Sequence, residues 1–320
     1  MVKKKKRRRL KKKWRYRFSL LAILLALWLI LGPIRHHFFT PTAKSETTTT
    51  TTAKKQKKKI PKHTWTEQTF LKVAERNINL YTNADKNSAI IEPIPAGEIL
   101  SYQTEQNGYY EVTTNKGNHG FVSYEDVTKF TQPISQKWQS LENAIIVLDP
   151  GHGGDDAGAM SNDEKYYEKD MSMAMAKTVQ KALEKAGAKV ILTHESSDQY
   201  IYLDDINKLS MEKRADVFLS FHFDSADYAN YGTGITTYYY YDKYKDLAQD
   251  INEQLQNLGL ENRGIQYASY EVLRETTQPS LLLELGYMNN DTDIQYITSP
   301  DYRQKVAEDI VKGLEKYFNR

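Results

Sequence analysis

Two of the chain's seven histidines, His152 and His222, stand where apolar runs end. Ile145-Ile146-Val147-Leu148 leads into Asp149-Pro150-Gly151-His152-Gly153-Gly154, and Asp216-Val217-Phe218-Leu219-Ser220-Phe221 leads into His222. Two imidazoles brought to one edge suit a zinc ion, which takes nitrogen and carboxylate oxygen where no thiolate is on offer. The chain contains no cysteine. A third ligand must then be acidic, and Glu164, Glu168 and Asp170 all follow His152 closely enough; spacing does not choose among them. Glu284 is a second anomaly, a carboxylate inside Leu281-Leu282-Leu283-Glu284-Leu285-Gly286. Burying it is costly unless it is paired or used. It could act as the base for a metal-bound water, or it could pair with an internal arginine. The glycines around His152 lack the Gly-Lys-Ser/Thr of a phosphate-binding loop.

These residues need a scaffold that delivers them to one edge. Continuous branched-apolar runs mark strands buried on both faces of an α/β sheet. Between Ile145–Leu148 and the next such run, Lys189–Leu192, the residues Met171, Met175, Val179, Leu183 and Ala186 recur at helical spacing, and Gly187 ends the pattern. This is a β-α-β unit, so a parallel pairing is expected. Further strands are expected at 216–221, at 280–285 and at 235–241, the last with an exposed face, and a final helix at 301–318. In such sheets, sites form outside the carboxyl ends of the strands.

The rest of the chain divides by composition. Residues 1–17 carry 12 Lys and Arg and no acid, and residues 18–34 carry no charge. That pairing reads as a basic cytoplasmic tail before a transmembrane anchor or signal segment. Gly32-Pro33-Ile34-Arg35 stands where a small-x-small cleavage site would follow, which favours an anchor. Residues 35–64, with an unbroken Thr47–Thr52 run and five Lys between 54 and 59, read as a solvated linker. Residues 65–130 read as short strands at 70–73, 78–81, 99–103, 109–113 and 120–122, with an Asn107-Gly108 hairpin turn, hence a small β-barrel. Pro133 and polar neighbours place an inter-domain linker at 131–143, leaving 144–320 for the chemistry. Residues 64–320 hold 24 basic and 40 acidic side chains, a net charge of −16, which argues against nucleic acid as a partner. Oligomeric state is not legible.

Two resemblances sharpen this reading. Ile78-Asn79-Leu80-Tyr81, Ile94-Pro95-Ala96-Gly97, Asn107-Gly108-Tyr109-Tyr110-Glu111-Val112 and Gly120-Phe121-Val122 resemble a bacterial SH3-type (SH3b) domain, with Tyr81, Tyr109 and Phe121 where Arg, Trp and Trp are usual. Four segments of the second module resemble the zinc-dependent N-acetylmuramoyl-L-alanine amidases (Amidase_3 family). They are Leu148 to Ala159, Glu168-Lys169-Asp170, Ala215 to His222, and Val272-Leu273-Arg274 followed by Pro279 to Asn290. The resemblances imply an α/β catalytic domain with a mostly parallel or mixed sheet flanked by helices, preceded by a small all-β SH3-like barrel; the N-terminal composition adds a transmembrane helix before both. The amidase resemblance implies Zn²⁺ held by His152, Glu168 and His222, with Glu284 as the catalytic carboxylate and Arg274 near substrate or Glu284. It also implies cleavage between N-acetylmuramic acid and L-alanine in peptidoglycan, in wall remodelling or autolysis. The enzyme is then expected outside the cytoplasm, anchored to the cell membrane through its N-terminal helix or secreted to the wall. The sequence departs from the family pattern at Asp224, where Asn is frequent, and at Leu203-Asp204-Asp205-Ile206, which lacks an Arg. Residues 242–249 leave little room for an inserted helix over the metal, so an open site is expected. The alternatives are a wall-binding regulatory protein with an inactive amidase fold, or a zinc peptidase acting on stem peptides.

Overall fold

Six strands form the sheet that carries the chemistry. They are β8 (Ile145–Pro150), β9 (Lys189–Leu192), β10 (Val217–Asp224), β11 (Ile235–Tyr239), β12 (Asn262–Tyr267) and β13 (Ser280–Tyr287). Their spatial order is β12-β11-β13-β10-β8-β9. All neighbours pair in parallel except β11 with β13, so the sheet is mixed. The computed structural model describes residues 63–135 and 138–320. The basic tail 1–17, the apolar segment 18–34 and all of the linker except its last two residues lie outside the described residues. Among the described residues no helix is long and apolar enough to cross a membrane.

The period-2 alternation of strand side chains divides the apolar residues between two faces. Ile146, Leu148, Leu219, Phe221, Leu281 and Leu283 enter one buried cluster. There they meet the long helix α1 (Glu168–Lys185), and also residues of two helices further along the chain, Lys245–Gln254 and Pro300–Phe318. Val147, Phe218 and Leu282 point the other way. That second face is covered by helix α2 (Leu203–Glu212) through Ile206, by Val272 and Leu273, and by Phe70 and Ile99 of the preceding β region.

That β region is a seven-stranded antiparallel sheet with its own core of Leu71, Val73, Ile78, Leu80, Ile94, Leu100, Val112 and Val122. Its strands are β1 (Trp65–Val73), β2 (Ile78–Tyr81), β3 (Ile90–Ile94), β4 (Ile99–Gln106), β5 (Tyr109–Thr113), β6 (His119–Ser123) and β7 (Val127–Ser135). Strands β3 and β7 escaped the sequence reading because each holds a proline, Pro93 and Pro133. Both strands lie at sheet edges, where a missing N–H is tolerated. The residues assigned to the start of a linker at 131 are therefore the end of β7, paired with β1 down to Trp65 and Ser135.

The two described regions belong to one compact unit. Buried Glu98 accepts from the Tyr240 hydroxyl at 2.7 Å and the Asn115 N–H at 3.0 Å. The Tyr241 hydroxyl donates to the Arg274 carbonyl at 2.6 Å and accepts from the Ile99 N–H at 3.2 Å. Lys72 of β1 reaches Glu275 at 2.8 Å. His63, at the end of the expected linker, stacks on Trp138 with ring centres 3.7 Å apart and meets Asp216 at 2.8 Å.

One expectation needs correction. Strand β11 has no exposed face: four of its five residues are buried, because it lies between β12 and β13 with apolar layers above and below. Helix α3 (Lys245–Gln254) follows β11 and packs against the C-terminal helix and β11, and none of its residues lines the cleft that holds His152, His222 and Glu284. Leu247, Ala248 and Ile251 of α3 go into the core, on the sheet face that carries α1.

Candidate active site

The turn after β8 does most of the local work. Its residue His152 has φ of 67°, a left-handed conformation uncommon for a residue with a side chain. Such strain persists where the surroundings impose it, and it concentrates at functional positions. The Ser172 hydroxyl of α1 donates to the Gly151 carbonyl at 2.6 Å, and the Gly151 N–H donates to the Phe221 carbonyl at 2.9 Å. The turn is thus tied to both α1 and β10.

That tie brings three side chains together. Nε2 of His152 lies 3.0 Å from Oε2 of Glu168, and Nδ1 of His222 lies 2.9 Å from Oε1 of the same carboxylate. Ligand atoms of all three residues fall within 4.8 Å of one another. Of Glu164, Glu168 and Asp170, Glu168 is the one that groups with the two histidines. Its carboxylate is fixed by backbone as well, accepting from the Ala159 N–H at 2.9 Å and the Phe223 N–H at 3.0 Å. Burial pushes the Glu168 carboxyl up, but the hydrogen bonds and charges of His152 and His222 outweigh it and hold the group far below the usual range. Burial lowers His152, yet Glu168 and Asp156 overcome this and raise it to about 9.

The residues fit a divalent metal ion. Two imidazoles and one carboxylate form the donor set of an open tetrahedral site. The other ring nitrogen of His152 meets Asp156 at 2.8 Å, the carboxylate–histidine pairing that orients a metal-bound imidazole. Two glycines make the room. A Cβ on Gly151 would lie 2.3 Å from the His222 ring, and one on Gly158 would lie 2.6 Å from Glu168 and 2.7 Å from His152.

Glu284 sits beside this group because β10 and β13 run parallel with His222 and Glu284 in register. It is 9 % exposed, and its Oε2 is buried without a hydrogen-bond partner. Burial, then the charges of Glu168 and Asp224, raise its carboxyl well above the ordinary value. A buried polar atom left unpaired is costly and calls for a role. Glu284 lines a cleft of about 410 Å³ together with His152, His222, Tyr200, Tyr270, Leu203 and Asp149, among others.

Arg274 ends a four-residue helix, α4 (Glu271–Arg274), and its guanidinium turns elsewhere. It donates to Ser269 at 2.9 and 3.2 Å and to Glu275 at 2.9 Å. No described hydrogen bond or ion pair joins it to Glu284. Sequence reasoning passed over Asp156 and Asp149. Asp156 could have been found four residues beyond His152. Asp149 is fully buried and accepts from Thr193 and Ser220, each at 2.7 Å, so its role beneath the site depends on two distant strand ends. Burial raises its carboxyl, and those two hydroxyls oppose the rise.

Residues 146–316 match the family described as N-acetylmuramoyl-L-alanine amidase, Amidase_3. Residues 76–128 match the bacterial SH3 domain, SH3_3. The chain is 38% identical over 248 residues to a probable cell wall amidase LytH of Staphylococcus epidermidis, spanning 76% of this chain and 82% of that protein. It is 41% identical over 247 residues to the probable cell wall amidase LytH of Staphylococcus aureus, again spanning 76% and 82%. Among solved structures it is similar to the N-acetylmuramoyl-L-alanine amidase of Clostridium difficile 630, with TM-score 0.53 and 34% identity over 55% of this chain and 97% of that one. It is also similar to the catalytic domain of CwlV from Bacillus (Paenibacillus) polymyxa var. colistinus, with TM-score 0.52 and 34% identity over 54% and 97%. A family match over more than half its length, on the sheet whose strand ends gather His152, Glu168 and His222 beside Glu284, means that the chain belongs to the N-acetylmuramoyl-L-alanine amidase family and is a peptidoglycan amide hydrolase.

Proposed function

We propose that this amidase is a zinc enzyme, with His152, Glu168 and His222 as the metal ligands and Glu284 as the proton carrier. The observation that carries the assignment is the pairing of the three-ligand cluster with an unpartnered, buried Glu284 Oε2 at the next strand end. Zinc, when bound there, supplies Lewis acidity towards water and the amide carbonyl. Glu284 takes the proton of the attacking water and returns it to the departing L-alanine nitrogen. Its apolar surroundings favour holding that proton between the two transfers. Asp156 keeps the His152 ring in one tautomer, and the two backbone N–H groups on Glu168 keep its carboxylate from rotating. The products are a glycan strand with a free lactyl carboxylate and a stem peptide with a free L-alanine amine.

Residues 65–135 serve as an SH3b-type accessory domain and residues 144–320 as the catalytic domain. Residues 18–34 hold the chain at the cell membrane, with the domains on the wall side. The supports for this placement are the basic tail, the uncharged segment after it, and the wall substrate.

The test is to incubate the purified full-length chain with peptidoglycan, with and without a zinc chelator, and as Glu284→Gln, and to weigh the fragments. Intact stem peptides carrying a free L-alanine amine are expected, lost on chelation and restored by zinc. Glu284→Gln is expected to bind zinc and to be slowed about 10²- to 10⁴-fold. Cuts within the stem peptide would reassign the enzyme as a peptidase. Full activity of Glu284→Gln would remove the proposed proton carrier.

A further inference from the structure

We infer that two pairs of exposed tyrosines, one reaching the catalytic cleft through Tyr200 and one reaching a neighbouring hollow through Tyr231, are subsites for neighbouring sugars of the glycan strand. The enzyme therefore acts on strands several sugars long in preference to a single disaccharide-peptide. This rests on the amidase reading and adds to it the length of substrate held.

The first pair is Tyr200 and Tyr202, 52 % and 67 % exposed, with ring centres 5.1 Å apart. Tyr200 lines the cleft together with His152, His222 and Glu284. The second pair is Tyr228 and Tyr231, 74 % and 81 % exposed, with ring centres 6.5 Å apart. Tyr231 lines a neighbouring hollow that also includes Asp224 and Tyr287. Asp224 is two residues beyond His222 on β10, and Tyr287 is three beyond Glu284 on β13. Cleft and hollow are therefore both bounded by residues at the ends of the two strands that carry the chemistry, with Tyr200 at one and Tyr231 at the other.

Both segments are held in place. Gly154 packs so closely on Tyr200 that a Cβ there would lie 2.9 Å from the Tyr200 Cβ, and the Gly154 N–H donates to the Ser197 carbonyl at 2.9 Å. Between Tyr228 and Tyr231, the Asn230 N–H donates to the Asn289 carbonyl at 2.8 Å, and the Asn230 side chain binds both the backbone and the side chain of Asp291. The backbone that carries Tyr200 and the turn between Tyr228 and Tyr231 are thus held, so little backbone ordering is required on binding.

The chemistry names the occupant. A tyrosine offers an apolar face with a hydroxyl at its rim. A pyranose offers a face of C–H bonds with hydroxyls at its rim, so the two are complementary. Residues 64–320 carry a net charge of −16, which repels the carboxylates of stem peptides. Grip on the substrate must come from uncharged groups meeting the uncharged sugars. A substrate whose reacting amide is linked to a sugar ring through a lactyl group brings the neighbouring sugars of its strand to the surface around the cleft.

The experiment compares the zinc-loaded full-length enzyme on uncrosslinked glycan strands and on the disaccharide-peptide monomer. It uses the wild type, Tyr200→Ala with Tyr202→Ala, Tyr228→Ala with Tyr231→Ala, and the matching phenylalanine variants. The readout is the ratio of kcat/KM on strands to kcat/KM on monomer. Wild type is expected to favour strands, and each alanine pair is expected to lower the ratio about tenfold, through KM. The phenylalanine pairs are expected to keep most of it, because the ring face remains. A ratio unchanged in both alanine pairs, or a wild type indifferent to strand length, overturns the subsites while leaving the amidase intact. Phenylalanine variants as impaired as alanine overturn stacking as the means of recognition. A wild type that releases no L-alanine amine from either substrate overturns the amidase reading and the subsites with it.

Discussion

Replacing Gly151 by alanine adds one methyl group to the floor of the histidine cradle and nothing else. Gly151 is not among the positive-φ glycines, so alanine meets no backbone penalty there. Its Cβ, however, would stand 2.3 Å from Cε1, 2.4 Å from Nε2 and 2.6 Å from Nδ1 of His222, where ordinary contact begins at 3.4 Å. The imidazole must retreat by about 1 Å, and a displacement of that size at a reacting centre costs about 100-fold in rate. His222 cannot follow freely, because Nδ1 is 2.9 Å from Glu168 and its strand is paired on both sides. Overpacking of this kind also costs about 1–3 kcal/mol of stability. Three measurements separate the effects: release of L-alanine amine from peptidoglycan, zinc bound per chain, and thermal unfolding. The expected result is a folded protein with its unfolding temperature lowered by a few degrees, reduced zinc content and a rate down about 100-fold. A Gly151→Ala enzyme with wild-type zinc content and wild-type rate would refute the assignment of His222 as a ligand held by this cradle.

Other expectations follow from the same structure. Phe70→Ala removes a ring of the SH3b-type region from the core beneath the catalytic sheet, and should cost about 3–5 kcal/mol. Because that core is shared, denaturant unfolding should remain a single transition shifted as a whole; two separated transitions would show that the regions fold independently. Glu98 is raised above 4.5, chiefly by burial, with the Asn115 and Tyr240 hydrogen bonds opposing. Its stabilising share is full below about 4.5 and is lost as pH rises through the raised folded value. The unfolding temperature of Glu98→Gln minus that of wild type should therefore grow as pH rises above about 4.5, and a constant difference up to pH 8 would contradict this. Arg274→Ala breaks contacts to Ser269 and Glu275, not to Glu284. It should lower the unfolding temperature more than it lowers kcat, and a 10³-fold loss in kcat with unchanged stability would place Arg274 in the chemistry instead.

Much of this protein is legible before folding is considered. The branched-apolar runs announced β8, β9, β10 and β13, because a strand buried on both faces cannot afford polar positions. Met171, Val179 and Leu183 announced α1 through their helical spacing. His152 and His222 stood out because each followed such a run, and Glu284 because an apolar strand has no other reason to contain a carboxylate. Two features escaped, and a third was reached only by resemblance, for one physical reason, which is that they are properties of pairing and not of local sequence. Spacing did not separate Glu168 from Glu164 and Asp170, and only the resemblance named it, because what distinguishes it is two backbone N–H groups and two histidines that converge on it from separate elements. Strands β3 and β7 were hidden because a proline breaks a strand in the middle of a sheet but not at its edge, and edges are assigned only when all strands have paired. The joint between the two folded regions read as a polar linker. The structure instead buries Phe70, Ile99, Tyr240 and Tyr241 across it, because the second face of the catalytic sheet lacks helices enough to cover itself. Sequence determined which residues could do the chemistry; tertiary structure decided which of them meet, since distance between side chains is set by strand register and shared cores, not by position along the chain.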